Sequence, residues 1–161
     1  MSGIFNVLIR EATVSDYDDF IKVFSEVEKL HREKLSRKFK EPDVLFSKLD
    51  YGDIIASSSA KVYMAYIWQT VVWLVIAYIK NHKNIPLLQE RTYIDIDTIC
   101  VLKEYRKQWI WKILLSEVED WARDNDILDI QLNVREFNND AKNFYLNHWF
   151  ESVSSIMRKI L

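Results

Sequence analysis

One uninterrupted apolar run limits the folds open to this chain more than any other feature of its sequence. Residues 71–79 read VVWLVIAYI, nine residues without a charged side chain. A membrane-spanning helix needs about 20 such residues, so this run is too short to cross a bilayer. A short, continuously apolar run is typical of a strand that is covered on both faces. We therefore expect a sheet with other elements packed against both of its sides.

Length and composition predict one folded domain. The chain has 161 residues, close to the usual size of a domain, and we expect residues 1–161 to form one. With 49% hydrophobic and 29% charged residues the chain can build a core, which argues against a disordered protein. The net charge of -2, from 22 basic and 24 acidic residues, gives no overall basic field for nucleic acid.

The N-terminal segment argues against a secreted protein, and the cysteine and histidine content argues against a metalloprotein. The start, MSGIFNVLIRE, has no basic segment ahead of an apolar one, so we expect no secretory signal and a cytoplasmic location. The single cysteine, Cys100, excludes an internal disulfide and a cysteine-rich zinc site. The three histidines do not form an H-x-x-x-H pair, so we expect no metal.

Glycine is scarce in this chain. There are 2 glycines and 6 tryptophans, whereas a typical glycine content of about 7% would give about eleven glycines. Turns must therefore form with few of the residues that best tolerate positive φ. Any phosphate-binding loop would likewise have to work without glycine.

Periodicity predicts a mixture of strands and helices. Alternating or continuous apolar residues predict strands at 5–11, 61–67, 71–80, 93–101 and 128–134, and a last strand from 150. Helical spacing and capping residues predict helices at about 15–34, 42–50, 109–125 and 139–147. The order β-α-α-β-β-β-α-β-α-β lacks strict alternation, which predicts an α/β domain with a mixed, mostly antiparallel sheet.

The strand predicted at 93–101 carries two aspartates and the cysteine. Side chains alternate between the two faces of a regular strand. One face would therefore carry Ile94, Ile96, Thr98 and Cys100, and the other Asp95, Asp97, Ile99 and Val101. The two carboxylates would share a face, and the thiol would lie on the opposite one.

Several segments together resemble a known family. The strand at 93–101 is followed by YRKQWIWK at 105–112 and an amphipathic helix, then by NNDAKNFY at 138–145, with WF at 149–150. The chain also begins with IREAT at 9–13, ahead of an acidic amphipathic helix. This arrangement resembles the GNAT superfamily of acetyl-CoA-dependent N-acetyltransferases over nearly the whole chain. The resemblance implies a GNAT-like mixed sheet flanked by helices, with acetyl-CoA as co-substrate.

By this resemblance, the turn before the third helix holds the pyrophosphate of CoA. Backbone N–H groups at a helix start bind anions, and glycine lets a backbone approach a phosphate closely. Arg106 matches the first position of the family pattern, but Trp109 and Trp111 stand at its glycine positions, and Lys107 also stands where many members have glycine. Trp73 and Trp149 also stand where glycine is common in the family. The cofactor-binding residues implied at this turn are Arg106, Lys107, Gln108, Trp109, Ile110, Trp111 and Lys112.

The resemblance also implies residues that hold the thioester and the pantetheine arm of CoA. Backbone groups of Ile99, Cys100 and Val101 would bind the arm and polarise the thioester carbonyl. The Cys100 side chain would be a small core residue rather than a nucleophile. Asn138 and Ala141 would contact the arm, and the alternative interpretation of Asn138 is an N-cap of the helix that follows.

Three residues are candidates for proton transfer. Tyr145 matches the family tyrosine that protonates the departing thiolate, and the alternative is a packing aromatic beside Phe144. Asp95 or Asp97 would take a proton from the amine, because the resemblance places their strand at the acceptor site. The alternative interpretation of both aspartates is a solvated polar face.

The sequence leaves two functions open. The first is transfer of acetyl from acetyl-CoA to a small-molecule or peptide amine, by direct attack in a ternary complex; no matched Ser-His-Asp set supports a covalent route. The second is a catalytically inactive GNAT-fold protein, with Trp109 and Trp111 blocking the CoA site, that serves as a structural or protein-binding domain. The aromatic content favours a homodimer, and neither nucleic acid nor a membrane is expected as a partner.

Overall fold

Five strands and four helices make up the described part of the chain. The structure, a computed structural model, describes residues 7–34, 45–83, 86–87, 89–105, 110–157 and 159. The strands are β1 (Val7–Glu11), β2 (Ala60–Ile67), β3 (Thr70–His82), β4 (Arg91–Val101) and β5 (Ile130–Leu132). The helices are α1 (Tyr17–Lys34), α2 (Lys48–Ala56), α3 (Ile110–Asp124) and α4 (Asn139–Leu146).

The predicted order of elements fits the structure through α4, but one helix is displaced. The second helix, predicted at 42–50, lies at Lys48–Ala56, and Pro42 lies outside the described residues. Ser47 sets its start, because its side-chain oxygen accepts the Asp50 N–H at 3.0 Å and its own N–H donates to the Asp50 carboxylate at 3.3 Å. This reciprocal capping box outweighs the preference of proline for a first turn.

The last predicted strand, from Phe150, does not form over residues 150–157, the stretch that the structure describes continuously. Residues 150–157 have no regular secondary structure. The side chains of residues 151–157 are all exposed, so this segment has no buried face of the kind that stabilises a strand.

The strands form one sheet in the order β1-β2-β3-β4-β5. The pairs β1–β2, β2–β3 and β3–β4 are antiparallel. Neighbouring β4 and β5 are joined through α3, which is the crossover connection that parallel strands use. The predicted mixed, mostly antiparallel sheet flanked by helices is confirmed.

Helices cover both faces of this sheet. Helices α1 and α2 pack on one side, here named the α1 face, and α3 packs on the other, the α3 face. The central strand β3 is buried at every position from Val71 to Ala77. The expectation from its continuous apolar run, a strand covered on both sides, is therefore confirmed.

An aromatic cluster holds α1 and α2 on the sheet. The ring of Phe20 lies 5.3 Å from that of Phe24, 5.2 Å from that of Phe46 and 4.8 Å from that of Tyr51, between centroids. The Tyr51 hydroxyl donates to the Thr13 carbonyl at 2.8 Å, so its polar end is satisfied. Rings at these spacings stabilise more than their buried area alone.

An ion pair with a buried carboxylate ties β1 to the turn that precedes α1. The two guanidinium nitrogens of Arg10 lie 2.8 and 2.7 Å from the two carboxylate oxygens of Asp16, and the Thr13 N–H also donates to this carboxylate. The Asp16 side chain is only 10% exposed. The hydrogen bonds from Arg10 hold the pKa of Asp16 well below its usual range, although burial opposes them.

The α3 face is covered by one helical stripe. Six α3 residues are buried: Ile110, Leu114, Leu115, Val118, Trp121 and Ala122. Their spacing of three and four residues is the helical period on which the predicted helix at 109–125 rests, and Ile113 beside them is half-buried. The helical interpretation of this segment is confirmed.

The chain divides into two compact units, residues 1–131 and 132–161. The first holds β1 to β4 and the first three helices, and the second holds α4 and the C-terminal residues. The expected single domain stays a prediction. Within the described ranges, no helix is long and apolar enough to span a membrane.

Candidate active site

Strand β4 contains a one-residue bulge at Asp97. In the ladder with β3, Thr98 lies opposite Ile76 and Ile96 lies opposite Ala77, so Asp97 has no partner of its own. A bulge adds one residue to one strand and interrupts the alternation of its side chains. The two halves of β4 therefore follow different alternation patterns.

The bulge corrects the predicted faces of β4. Directly opposite residues of an antiparallel pair lie on the same face. The α1 face therefore receives, with their β3 partners in parentheses, Asp95 (Tyr78), Thr98 (Ile76) and Cys100 (Leu74). The α3 face receives Ile94, Ile96, Ile99 and Val101. The prediction that Cys100 lies on the opposite face from Asp95 is wrong, because it assumed a regular strand.

Asp95 is a half-buried carboxylate on the α1 face. Its pKa is raised above the usual value, mainly by burial and further by the negative charge of Asp97, while the ammonium of Lys80 lowers it. The ammonium nitrogen of Lys80 lies 4.9 Å from the ring centroid of Tyr78, the residue opposite Asp95. A carboxylate with a raised pKa accepts a proton more readily, as a general base for an amine requires.

Asp97 differs from Asp95 in exposure. Its side chain is exposed, and one carboxylate oxygen accepts the Thr98 hydroxyl at 2.7 Å. Its charge adds to the burial that raises the pKa of Tyr78. The structure thus brings the two predicted carboxylates within electrostatic reach of each other, but only Asp95 is sheltered from solvent.

Cys100 lies in the core beneath the aromatic cluster. Its side chain is fully buried and belongs to the same apolar cluster as Phe20 and Leu74. Burial raises the pKa of its thiol well above the usual value, so the thiol stays protonated. This placement agrees with the predicted core residue and not with a nucleophile.

The carboxyl end of β4 extends past its neighbour β5. The Ile94 N–H donates to the Asp129 carbonyl at 2.9 Å, and β5 then ends at Leu132, while β4 continues to Val101. A strand that short cannot accompany β4 to its end. The predicted thioester-binding residues, Ile99 to Val101, therefore lie on the part of β4 that extends beyond β5.

The chain is held in place immediately after β4. The Leu102 N–H donates to the Val72 carbonyl at 3.0 Å. The next N–H, of Lys103, donates to a carboxylate oxygen of Glu26 on α1 at 2.7 Å. These bonds fix the direction in which the chain leaves the sheet toward α3.

The predicted pyrophosphate turn is described only in part. Arg106, Lys107, Gln108 and Trp109 lie outside the described residues. Helix α3 begins at Ile110, which is buried; Trp111 is half-buried and Lys112 is exposed, with its ammonium nitrogen 5.5 Å from the Trp111 ring centroid. The first N–H groups of an α-helix generally lack a partner within the helix, which is why a helix start can bind an anion.

In the second unit, Asn138 caps α4. Its side-chain oxygen accepts the Ala141 N–H at 3.3 Å. The capping interpretation is therefore confirmed. Contact of Asn138 and the half-buried Ala141 with the pantetheine arm stays a prediction.

Tyr145 lies in α4 among other aromatic residues. Its ring centroid is 5.1 Å from that of Phe144 and 5.4 Å from that of Phe150. Burial raises the pKa of Tyr145 to about 12, so the phenol stays protonated at neutral pH. The packing role is visible in the structure, and the role as a proton donor stays a prediction.

Two neighbours of Asp95 did not emerge from the sequence. Tyr78 and Lys80 lie at the end of β3, on the same face as Asp95. Their positions give no motif, and only the pairing of β3 with β4 places them there. Among the described residues, no group of three histidines, cysteines or carboxylates is placed to hold a metal ion.

The fold and this strand arrangement match a known family. The family model described as "Acetyltransferase (GNAT) family" matches residues 17–148. This match covers most of the sequence, so the chain belongs to the acetyltransferase (GNAT) family. The predicted class of enzyme is confirmed at the level of the family.

Solved structures share the fold at low sequence identity. A mutant of the BH1408 protein from Bacillus halodurans has a TM-score of 0.90 and 20% identity, over 96% of this chain and 99% of that one. The aminoglycoside acetyltransferase meta-AAC0020, from an uncultured soil metagenomic sample, has a TM-score of 0.72 and 16% identity over the full length of both chains. The aminoglycoside N-acetyltransferase AAC(6')-Iy, in complex with CoA, has a TM-score of 0.74 and 11% identity, over 97% and 95%.

One curated protein is similar in sequence over a shorter stretch. Streptothricin acetyltransferase A of Bacillus subtilis (strain 168) is 34% identical over 58 residues. The match covers 36% of this chain and 34% of that protein, so it spans about a third of the relative's length.

Proposed function

We propose that this chain transfers acetyl from acetyl-CoA to a primary amine by direct attack in a ternary complex. The observation that carries the proposal is the bulged strand β4. It combines a sheltered carboxylate of raised pKa, Asp95, with a backbone edge at Ile99–Val101 that extends beyond β5. Membership of the acetyltransferase (GNAT) family supports the same reaction.

In the proposed reaction, Asp95 accepts a proton and Tyr145 donates one. Asp95, directly or through a water, takes a proton from the ammonium form of the acceptor. The amine nitrogen then attacks the thioester carbonyl carbon, while backbone N–H groups near Val101 stabilise the developing oxyanion. The new C–N bond forms, the C–S bond breaks, and the phenol of Tyr145 supplies a proton to the departing thiolate. A second proton leaves the nitrogen of the new amide and returns to the Tyr145 phenolate through solvent, and Asp95 releases its proton to water, so the ammonium and acetyl-CoA give the amide, the CoA thiol and one proton.

We infer that the acceptor is a small molecule that carries a cationic amine. Two carboxylates, Asp95 and Asp97, lie along the strand that would face it, and a protonated amine is attracted by both. The similarity to streptothricin acetyltransferase A and the shared fold with aminoglycoside acetyltransferases support this class. A peptide N-terminus is the alternative acceptor.

The experiment is a calorimetric titration with acetyl-CoA followed by a thiol-release assay on an amine panel. The panel contains an aminoglycoside, streptothricin, a polyamine, an amino acid and a short peptide. We expect saturable acetyl-CoA binding and thiol release with at least one cationic small molecule. Absence of binding at millimolar acetyl-CoA would contradict the proposal.

Tyr145→Phe tests the proton donor, with Tyr63→Phe as a matched control. The pKa of both phenols is raised to about 12, mainly by burial, so each substitution removes one phenol hydroxyl of similarly raised pKa. We expect Tyr145→Phe to lower kcat by about 10²-fold or more and Tyr63→Phe to leave it near the parent value. Equal effects of the two substitutions would show that only packing is involved.

A catalytically inactive, protein-binding or structural role is the second candidate. The half-buried indole of Trp111 in the first turn of α3 favours it, because this ring occupies space beside the helix start. In that case acetyl-CoA would neither bind nor raise the melting temperature. Glycine substituted at 107, 109 and 111 would then restore binding.

A further inference from the structure

Two exposed tryptophans adopt a backbone conformation that favours glycine. Trp68 has φ 58° and Trp149 has φ 68°, with side chains 80% and 100% exposed. A bulky residue is strained in this left-handed region, and neither ring gains burial in return. The other described residues with positive φ are Asp126, a type that tolerates it, and Leu87 in the β3–β4 loop. By contrast, Gly52 lies within helix α2 and has no positive φ.

Trp68 occupies a turn position that selects glycine. Ile67 and Thr70 are opposite partners, so the hairpin between β2 and β3 has a two-residue loop, Trp68-Gln69. Only the first of these two residues has a positive φ. Two-residue hairpins with this pattern are type II′ turns, which take glycine at the first position.

Trp149 lies just after the end of helix α4, at a position that also selects glycine. The Phe150 N–H donates to the Tyr145 carbonyl at 3.1 Å, closing the wide hydrogen-bonded ring of a Schellman motif after α4. The residue before the donor in this motif is left-handed and is usually glycine. Trp149 is that residue. The two sites are therefore independent, since one ends a helix and the other joins two strands.

Trp73 is unfavourable at its position for a different reason, which is an unpaired buried hydrogen-bond donor. It is 5% exposed, in the middle of β3, and its indole N–H has no hydrogen-bond partner among the described residues. A buried indole normally finds an acceptor, and an unpaired buried donor is costly. Glycine at this position would remove the unpaired donor. Trp121, on the buried stripe of α3, shows none of these conflicts.

Three separate tryptophans are in conflict with their surroundings, Trp68 and Trp149 through backbone strain and Trp73 through an unpaired buried donor, and one cause would account for all three. We propose that the codons giving tryptophan at 68, 73 and 149 are read as glycine by the cells that make this protein. Such a difference arises when one codon, UGA for example, is assigned differently by two genetic codes. The proposal extends to Trp109 and Trp111 and excludes Trp121. It would also explain why the chain has only 2 glycines.

The functional consequence concerns the CoA turn. Glycine at 109 and 111 would leave no indole side chain at these two positions, and glycine lets a backbone approach a phosphate closely. The blocked-site alternative would then lose its basis. The proposal about residue identity does not depend on the proposed reaction, so the two can fail separately.

Peptide mass spectrometry of the protein purified from its natural cells tests the proposal directly. Cleavage after lysine and arginine gives peptides 62–80, 108–112 and 143–158, which contain the five positions, and peptide 113–123, which contains Trp121 as an internal control. We expect glycine masses at the five positions and tryptophan in the control peptide. Tryptophan in peptides 62–80 and 143–158 would overturn the proposal, whatever the enzyme's activity.

A second measurement uses the recombinant chain. We expect Trp68→Gly and Trp149→Gly each to raise the melting temperature by about 2–4 °C, because each relieves a strained backbone. The matched control Trp121→Gly should lower it, since it removes a buried ring from a helix. A fall in melting temperature for both test variants would contradict the proposal. A chain with all five glycines that still fails to bind CoA would reject the proposed reaction only.

Discussion

The two faces of β4 differ sharply in chemistry although they belong to one strand. Between Ile94 and Val101, the strand presents only aliphatic side chains on the α3 face: Ile94, Ile96, Ile99 and Val101. On the α1 face it presents a carboxylate, a hydroxyl and a thiol, from Asp95, Thr98 and Cys100. The first face contributes to the core, and the second combines core packing with a titratable group at its margin.

The difference shows how one extra residue can position a reactive side chain. Without the bulge at Asp97, Asp95 and Cys100 would lie on opposite faces, as in any regular strand. With it, both halves of β4 place aliphatic residues on the α3 face of the sheet. Bulges are frequent next to active sites for this reason, because they redirect side chains without disrupting the sheet.

Removal of the bulge should give the largest effect. Deletion of Asp97 forces one half of β4 to turn its apolar residues to the wrong face, as a register slip does. We expect the free energy of unfolding to fall by about 3 kcal/mol or more, measured by urea denaturation. Asp97→Ala keeps the residue count and should change it by no more than about 0.5 kcal/mol. A deletion variant as stable as Asp97→Ala would contradict the assigned register.

Comparison of Asp95→Asn with Asp97→Asn tests which of the two carboxylates acts as the base. Asp95→Asn removes the proposed base and should lower kcat by about 10²- to 10⁴-fold, whereas Asp97→Asn, at an exposed position, should have a much smaller effect. The measurement is thiol release at saturating acetyl-CoA. Similar losses in both variants would mean that charge, rather than one sheltered base, supports the reaction.

The pH profile gives an independent test of Asp95. Activity should fall as the pH drops through its raised pKa, because the protonated carboxyl cannot act as a base. The positive charge of Lys80 lowers this pKa and the negative charge of Asp97 raises it. Lys80→Met should therefore shift the acidic limb of the kcat profile to higher pH, and Lys80→Arg should leave it in place. An unshifted limb in Lys80→Met would contradict the assignment.

The ion pairs on the two faces of β1 should differ in strength. Asp16→Asn breaks the sheltered pair with Arg10 and should cost about 1–3 kcal/mol at neutral pH. The matched control Glu11→Gln breaks the more exposed pair with Lys61, at 2.6 Å, and should cost less than about 1 kcal/mol. Equal losses in the free energy of unfolding, measured by urea denaturation, would contradict the expectation that the more buried pair contributes more.

The contribution of Asp16 should also depend on pH. Its pKa is lowered on folding, so its stabilisation is present above the unfolded value of about 3.9 and is lost as the pH falls toward the folded value. The stability difference between the parent chain and Asp16→Asn should therefore shrink on acidification. A constant difference would show that the carboxylate charge is not the cause.

The smallest effect is expected in α2, one of the helices that cover the α1 face. A Cβ added at Gly52 meets no atom within 4 Å. Gly52→Ala should therefore raise the free energy of unfolding by about 0.5–1 kcal/mol, through lower backbone entropy in the unfolded chain. A loss of stability would mean that the space around Gly52 does not accommodate an added methyl group.

Most elements could be predicted because their signals are local. The continuous run of β3, the stripe of α3 and the cap of α4 each depend on residues close together in the sequence. The start of α2 was missed because the prediction relied on Pro42, whereas the reciprocal bonds of Ser47 and Asp50 set the start of the helix in the structure. The strand predicted from Phe150 failed because a period-2 pattern does not supply a sheet to pack against.

The candidate site was predictable only as a set of residues. The motif and strand pattern indicated Asp95, Asp97 and Tyr145, but not their environments. The burial that raises the pKa of Asp95, and the positions of Tyr78 and Lys80 beside it, come from strand pairing across the chain. Sequence spacing cannot contain this information, since pairing partners are set by the register between two strands.

By itself, the sequence determined the order of the elements and the family of this protein, because periodicity and motifs are properties of neighbouring residues. Only the tertiary structure decided which side chains of β4 share a face. That outcome depends on one unpaired residue in the ladder with β3, and a bulge exists only when two strands are paired. The backbone angles at Trp68 and Trp149 were likewise set by the turn and the helix end that the fold imposes on them.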